Sequence, residues 1–547
     1  MDVDLRERIR SWRSQDPDPA TVAALDDLVD RADAGESDAL AELDSAFAGP
    51  LAFGTAGLRG ALGPGPGRMN RIVVCQAAAG LARYLLDAGH EGGRVVVGYD
   101  ARYNSDVFAR DTAEILAGAG LMPMLCASAV PTPVAVFGIR HYGCVAAVVV
   151  TASHNPPQDN GYKVYLGDGS QIVPPADAQI AERIAAVAAA PLADIARSDD
   201  YPVVGGELVD AYVARAASLL EPGSPRSVNW VYTAMHGVGA SVVDAVVTGC
   251  GFTQPHRVAE QIEPDPAFPT VAFPNPEEPG AIDLALDLAR ATGSDIAIAN
   301  DPDADRCALA APFPDGWRML TGDELGVLLA EDALRRGVAG TYACSVVSST
   351  LLAAMAVAHD QPFVTTLTGF KWIGRVPGLA FGYEEAIGYC TDPEAVADKD
   401  GITTLVRILD LASRLKDAGS SVAQRLDDIA AAFGVHHTSQ LAFRVADVSL
   451  IGEAMARIRS TPPAALAGDP VSVSDLADGW AGLPPTDGLL FEGTTVRAVV
   501  RPSGTEPKLK CYLQVKRPAG GDLASERAQA AATMASARAE LAAALGL

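Results

Sequence analysis

Two textures alternate along most of this chain: short unbroken apolar runs, and Ala-rich stretches in which apolar residues recur at helical spacing. The runs Arg94 to Asp100, Cys144 to Val150, Asp295 to Ala299 and Ser345 to Val347 are the clearest strands. An unbroken apolar strand is buried on both faces, and such strands alternating with helices build largely parallel sheets, so the pattern predicts an α/β fold. Two regions differ. Met1 to Ala48 is rich in Ala, Asp, Glu, Leu and Arg with spaced apolar residues and reads as a helical N-terminal extension. From about Ser439 the texture changes again, closing on a helix over Ser525 to Leu545.

Length turns one fold into several, because a single hydrophobic core stops growing well below 547 residues. Clusters of Pro, Gly and Ser, or breaks in texture, fall near Glu221 to Arg226, Ala330 to Gly340 and Gly434 to Gln440. They divide the chain into four expected domains, 1–220, 221–335, 336–438 and 439–547.

Charge then narrows the partners. A formal net charge of -26 opposes binding to a polyanion, which needs a basic face to displace counterions, so nucleic acid is not expected. The same field repels a small phosphate ester, so a phosphate pocket must carry its own cluster of Arg and Lys. The eight cysteines are scattered singly, with no Cys-x-x-Cys pair, and read as buried reduced thiols. Met1 to Pro19 is charged and lacks the apolar stretch of a signal peptide, and no apolar run reaches membrane-spanning length. A cytoplasmic protein without a membrane partner is the expectation.

Candidate chemistry sits just after the apolar runs, where ligand sites form in open α/β sheets. In Asp301-Pro302-Asp303-Ala304-Asp305-Arg306, an extended backbone would place three carboxylates on one side, where they repel unless a dication joins them. Hard oxygen ligands favour magnesium or calcium. An EF-hand is excluded, since its sixth position would be Arg306 rather than Gly and its twelfth Pro312 rather than Glu. In Thr151-Ala152-Ser153-His154-Asn155-Pro156-Pro157, the Ser153 hydroxyl at a strand's end is placed to accept a phosphoryl group, although neighbouring Ser and His side chains usually point apart. Lys163, in Asn160-Gly161-Tyr162-Lys163-Val164-Tyr165, becomes a proton-transfer group if burial lowers its pKa.

Three further loops complete the set. Arg501-Pro502-Ser503-Gly504-Thr505-Glu506-Pro507-Lys508 is the local basic, hydroxyl-bearing cluster that a phosphate requires. Thr368-Gly369-Phe370-Lys371 and Gly382-Tyr383-Glu384-Glu385-Ala386-Ile387-Gly388 bring a lysine donor and carboxylates that accept from sugar hydroxyls. Phe53-Gly54-Thr55-Ala56-Gly57-Leu58-Arg59-Gly60 offers glycines for close backbone approach and a cation for a transferring phosphoryl group.

In chain order these loops resemble the signature set of the α-D-phosphohexomutase superfamily, from Phe53 to Lys510, and most closely the branch of bacterial α-phosphoglucomutases and animal phosphopentomutase and glucose-1,6-bisphosphate synthase. The resemblance implies a heart-shaped, four-domain architecture of three related α/β domains and a smaller C-terminal α+β domain. It implies a phosphorylated Ser153, with Asp301, Asp303 and Asp305 binding Mg2+ together with the serine phosphate. Lys163 then resembles the family's general acid/base, Arg59, Arg306 and His154 flank the transferred group, and His236 is a second proton-transfer candidate. Thr368, Gly369, Lys371, Glu384 and Glu385 belong to the sugar loops, while Arg501, Ser503, Gly504, Thr505 and Lys508 hold the phosphate that is not transferred. The implied reaction converts a hexose 1-phosphate and 6-phosphate, of glucose or mannose, through a sugar 1,6-bisphosphate that also serves as activator. Phosphopentomutase and glucose-1,6-bisphosphate synthase are the alternatives, and a monomer or homodimer is expected. Ala386 departs from the pattern, because hexose-specific relatives commonly carry Ser there.

Overall fold

The computed structural model describes residues 1–445, 449–503 and 508–546. The chain divides into two compact units, Met1–Ala310 with Cys390–Ser413, and Ala311–Tyr389 with Arg414–Leu547.

The first unit opens with helices Val3–Arg13, Pro19–Asp33 and Ser37–Phe47, as the N-terminal pattern predicts, packed around Leu5, Leu25, Leu43 and Phe47. Its first sheet has six strands: β1 (Leu58–Ala61), β2 (Arg94–Tyr99), β3 (Met122–Cys126), β4 (Ala146–Val150), β5 (Asp159–Leu166) and β6 (Val203–Val204), in the order β1-β5-β4-β2-β3-β6. The β2 pairings with β3 and β4 are parallel, which suits their unbroken apolar sequences, and β4 is buried along its whole length. β5 returns antiparallel to β4 with Lys163 opposite Val149, so alternation turns Tyr162 and Val164 into the core and Lys163 to the other face. β1 lies antiparallel on β5. The approach needs Gly57 at its start, whose φ is 75° and where a Cβ would meet Tyr162 O at 1.8 Å.

The second sheet of this unit includes β7 (Trp230–Thr233), β8 (His256–Arg257), β9 (Ile296–Asn300) and β10 (Cys307–Phe313). β9 and β10 are antiparallel with Asn300 opposite Cys307, so the six residues Asp301 to Arg306 close a hairpin.

In the second unit a short strand β11 (Gly316–Met319) precedes the helix Gly322–Arg335, which begins with a capping box between Thr321 and Glu324. The boundary expected at 335 falls at the end of this helix. A four-stranded sheet follows, from β12 (Thr341–Ser345), β13 (Phe363–Thr366), β14 (Leu379–Glu384) and β15 (Gly388–Cys390), with β12 parallel to both β13 and β14. The expected strand Ser345 to Val347 is displaced: β12 ends at Ser345, where Val346 and Val347 turn into a separate cluster with Leu490, Val499 and Tyr512. The last sheet draws on β16 (Val435–Arg444), β19 (Ser472–Asp475), β20 (Leu489–Glu492), β21 (Val496–Pro502) and β22 (Lys508–Arg517), beside the small pair β17 (Ala465–Leu466) and β18 (Asp469–Pro470). Its described pairings are antiparallel, and the helix Leu523–Leu545 contributes Ala530, Met534, Ala537 and Leu541 to its core. This antiparallel sheet with a helix on it is the α+β texture read from Ser439 onward.

Candidate functional site

The turn after β4 and the β9–β10 hairpin meet within the first unit. Ser153 has φ 51°, a left-handed conformation uncommon for a residue with a Cβ, and its amide donates to Thr151 Oγ1 at 2.8 Å. This turn sends Ser153 Oγ to Asp301 Oδ2 at 2.9 Å and brings His154 Nδ1 within 3.1 Å of the same hydroxyl. Adjacent side chains that would diverge in regular backbone are thereby joined. Arg59, from β1, donates to Asn155 Oδ1 at 3.2 Å on the far side of the loop.

The carboxylate loop is a tight turn rather than the extended segment expected. Ala304 has φ 52°, its amide donates to Asp301 O at 2.8 Å, and Arg306 N donates to Asp301 Oδ1 at 3.0 Å. Asn300 bridges the loop's two ends, donating to Arg306 O at 2.6 Å while accepting from Tyr232 Oη at 2.9 Å. The three carboxylates still converge, each offering an oxygen within 4.8 Å of the others. Thr132 fixes the middle one, donating Oγ1 to Asp303 Oδ2 at 2.6 Å and its amide to Asp303 O at 2.9 Å.

Lys163 Nζ reaches Asp303 Oδ2 at 2.7 Å and Asp305 Oδ2 at 2.8 Å. Burial alone would depress its pKa, but these two charges outweigh it and hold the ammonium above its ordinary value, reversing the direction expected from desolvation. Asp303 and Asp305 are likewise held below the usual carboxylate range against their burial, while Asp301, pushed up by burial and by its two neighbours, lies well above it. Burial and the nearby Arg306 and Arg59 keep the His154 ring neutral.

The set fits a hard dication. All three carboxylates are buried, and among the described residues no hydrogen bond reaches Asp303 Oδ1 or Asp305 Oδ1. Two buried carboxylate oxygens without donors are what a cation on oxygen ligands would use.

Lys399 escaped the sequence reading. Lys399 Nζ is 3.3 Å from Asp305 Oδ2 and comes from a segment almost a hundred positions downstream. Gly401 N donates to Ala304 O at 3.2 Å, and Asp400 accepts from the amides of Ile402 and Thr403 at the start of the next helix. The run Asp398-Lys399-Asp400-Gly401 before an apolar helix was the available signal.

His236 is buried beside this centre, with φ 59°, and its ring Nε2 is 2.8 Å from Thr270 Oγ1. Gly237 permits the close approach, because a Cβ there would lie 2.3 Å from Pro302 Cα and Val238 N donates to Pro302 O at 2.8 Å.

The remaining expected residues lie in the second unit. Thr368 and Gly369 follow β13 and Glu384 ends β14, so both loops stand at the carboxyl ends of parallel strands. Gly369, with φ 107°, donates its amide to Glu384 Oε2 at 3.2 Å, and Lys371 lies in the short helix Phe370–Ile373. Glu385 turns the other way, accepting from Ser345 Oγ at 3.3 Å and Ser348 Oγ at 3.4 Å. Arg501 and Lys508 flank the β21–β22 connection, and Ser503 N donates to Lys508 O at 2.8 Å. Gly504 and Thr505 lie outside the described residues.

Comparison with known proteins extends this picture over the chain. Four domain profiles match in order: phosphoglucomutase/phosphomannomutase alpha/beta/alpha domain I at residues 50–190, domain II at 210–312, domain III at 321–433, and the C-terminal domain at 441–530. A probable phosphomannomutase of Haemophilus influenzae is 49% identical over 456 residues, covering 82% of this chain and 93% of the relative. A human phosphopentomutase is 34% identical over 575 aligned positions, covering 95% of this chain and 92% of the relative. The solved structure of a phosphoglucomutase/phosphomannomutase family protein from Burkholderia thailandensis shares the fold, with a TM-score of 0.68 at 21% identity over 90% of this chain and 97% of that one. With four domains matched in order, relatives aligned over most of their length and a buried hydroxyl set against three carboxylates, the chain belongs to the phosphoglucomutase/phosphomannomutase family and is a phosphosugar mutase, an enzyme of the isomerase class.

Proposed function

We propose that the chain interconverts the 1- and 6-phosphates of a hexose, glucose or mannose, through a phosphoserine at Ser153 and a sugar 1,6-bisphosphate. The carrying observation is Ser153 Oγ, 2.9 Å from Asp301 in a buried cluster of three carboxylates. Phosphoserine donates its phosphoryl group to the free hydroxyl of the bound monophosphate: the serine P–O bond breaks, a P–O bond to the sugar forms, and the hydroxyl proton is taken up at the site. The bisphosphate then presents its other phosphate to Ser153, and the reverse transfer leaves the isomeric monophosphate and a phosphoserine.

Within this reading Asp301, Asp303, Asp305 and the serine phosphate hold Mg2+. When bound, the ion supplies positive charge to the phosphoryl oxygens and takes up carboxylate charge that otherwise holds the Lys163 proton. Lys163 gives and accepts the proton at the transferring oxygen, Arg59 and Arg306 attract the phosphoryl oxygens, and neutral His154 orients the serine oxygen. His236, bonded to Thr270, is the second proton carrier. Glu384 accepts from sugar hydroxyls, with Thr368, Gly369 and Lys371 beside it, while Glu385 braces the loop. Arg501, Ser503, Gly504, Thr505 and Lys508 hold the other phosphate. No described helix is long and apolar enough to cross a membrane. The proposal takes the enzyme to be cytoplasmic and monomeric or homodimeric.

The hexose reading rests on the relative at 49% identity. A pentose reading is favoured by Ala386 and by the phosphopentomutase aligned over 95% of the chain. Measuring kcat/KM for glucose, mannose, ribose and deoxyribose 1-phosphates, with trace bisphosphate activator, separates the two. Preference for a hexose supports the proposal, and strong preference for the pentoses replaces it with phosphopentomutase.

A further inference from the structure

Arg102, which follows β2, is 4% exposed and plays no part in the reading above. Its guanidinium donates to four carbonyl oxygens between Ser153 and the start of β5. Nη2 serves Ser153 O and Asn155 O, while Nη1 serves Pro156 O at 2.9 Å and Asp159 O at 3.2 Å. Asp100 anchors it from behind, accepting the Arg102 amide on Oδ1 at 3.0 Å and lying 3.4 Å from Nε through Oδ2. Asp100 Oδ1 is itself fixed by Ser105 Oγ at 2.7 Å. Phe268 covers the guanidinium, its ring centre 4.9 Å away, and the same ring lies 6.5 Å from the His236 ring.

The arrangement answers a need created by the turn itself. Ser153 is left-handed, and the carbonyls that follow it face a buried guanidinium, where an oxygen without a donor is costly. Only a planar fork with several donors meets four carbonyls in different directions, since a lysine ammonium concentrates its three donors at one point. Phe268, Met235, His236 and Ala304 are also left-handed, with φ 46°, 47°, 59° and 52°. Of these, Phe268 touches the guanidinium, as Ser153 does, and His236 lies against the Phe268 ring.

We propose that Arg102, clamped between Asp100 and Phe268, is the positioning residue that keeps the Ser153 hydroxyl in register with the carboxylate cluster. The inference rests on Ser153 being the phosphoryl carrier. It makes Arg102 a determinant of turnover without contact to substrate, and Phe268 the part through which the His236 loop bears on the same turn.

The test compares wild type, Arg102→Lys, Arg102→Ala and Phe268→Leu for melting temperature, kcat and KM for glucose 1-phosphate, and for Ser153 phosphate occupancy by intact mass. Arg102→Lys, folded at the assay temperature, should lose about 10²-fold in kcat with KM within about threefold, the signature of misplaced reacting groups rather than lost binding. Methylguanidinium should restore part of the Arg102→Ala turnover, which a purely structural role would not produce. Folded Arg102→Lys with wild-type kcat, or Arg102→Ala turnover indifferent to methylguanidinium, would overturn the proposal. If both Arg102 variants unfold, Phe268→Leu decides: a fall in kcat with KM unchanged supports it, and unchanged kcat overturns it. Wild type that gains no phosphate at Ser153 after incubation with glucose 1,6-bisphosphate and magnesium would instead refute the mutase cycle on which the inference stands.

Discussion

Ser153, Asp301, Asp303, Asp305 and Lys163 are each 5% exposed or less, and hydrogen bonds of 2.7 to 2.9 Å tie the β9–β10 hairpin to the turn after β4 and to β5. Glu384, 8% exposed at the end of its strand, accepts among the described residues one amide, at 3.2 Å, from a loop whose Gly369 carries a positive φ. Its neighbour Glu385 spends its carboxylate on Ser345 and Ser348. Moving a phosphoryl group demands fixed distances among hydroxyl, carboxylates and cations, and the fold supplies them through a hairpin, a register and left-handed turns. On the proposed reading, gripping a sugar at Glu384 needs only a few well-aimed acceptors, so the second region is expected to tolerate change that the first does not.

The contrast breaks first at Ser153. Ser153→Ala should lower mutase turnover by about 10⁴-fold or more, the scale on which loss of a nucleophile acts, with Tm nearly unchanged. A steady-state assay together with a thermal melt checks both. Asp303→Ala should follow at about 10³-fold, and chelation of wild type should give a comparable loss that added magnesium reverses. Retained turnover in this variant would remove the metal triad from the account. In the second region the effects shrink: Glu384→Gln should lower kcat/KM by about 10- to 10²-fold and to different extents for glucose and mannose phosphates, as expected for hydrogen bonds to a charged group. Arg501→Ala should depress every substrate by a similar factor, since the phosphate is common to all.

These two regions also differ in how far the sequence discloses them. The carboxylate triad was legible because its members stand at alternate positions, yet the reason was wrong: the oxygens meet through the left-handed turn at Ala304, not through extended backbone. The pairing of Ser153 with His154 was hidden for the same cause, since backbone of φ 51° at Ser153 is not written in residue type. Lys163 was found by its motif while its pKa direction was not, because that direction depends on Asp303 and Asp305, which lie 140 and 142 positions away. Arg102 was invisible for a related reason, being joined to the site by topology alone, and for Lys399 only the charged run before its helix hinted at a role. Strands buried along both faces, such as β4, were read within two residues, whereas β12 ended early where its valines served another cluster.

The smallest expected effect is on stability in the second unit. Burial pushes His436, on β16, down to about 4 from 6.5. As pH falls the unfolded chain binds this proton first, so His436 contributes stability that is present above pH 6.5 and lost between pH 6.5 and 4, by about 1–3 kcal/mol. Denaturant melts at pH 7.5 and 5 should differ less for His436→Gln than for wild type; an equal difference would remove this histidine from the acid sensitivity.

The measurement closest to the central claim is the position of the phosphoryl group. Purified protein incubated with glucose 1,6-bisphosphate and magnesium should gain one phosphate by intact mass, and peptide fragmentation should place it on Ser153. Ser153→Ala treated alike should gain none. Phosphate carried only on other hydroxyls, or equal labelling of the Ser153→Ala variant, would contradict the assignment of Ser153 as the carrier.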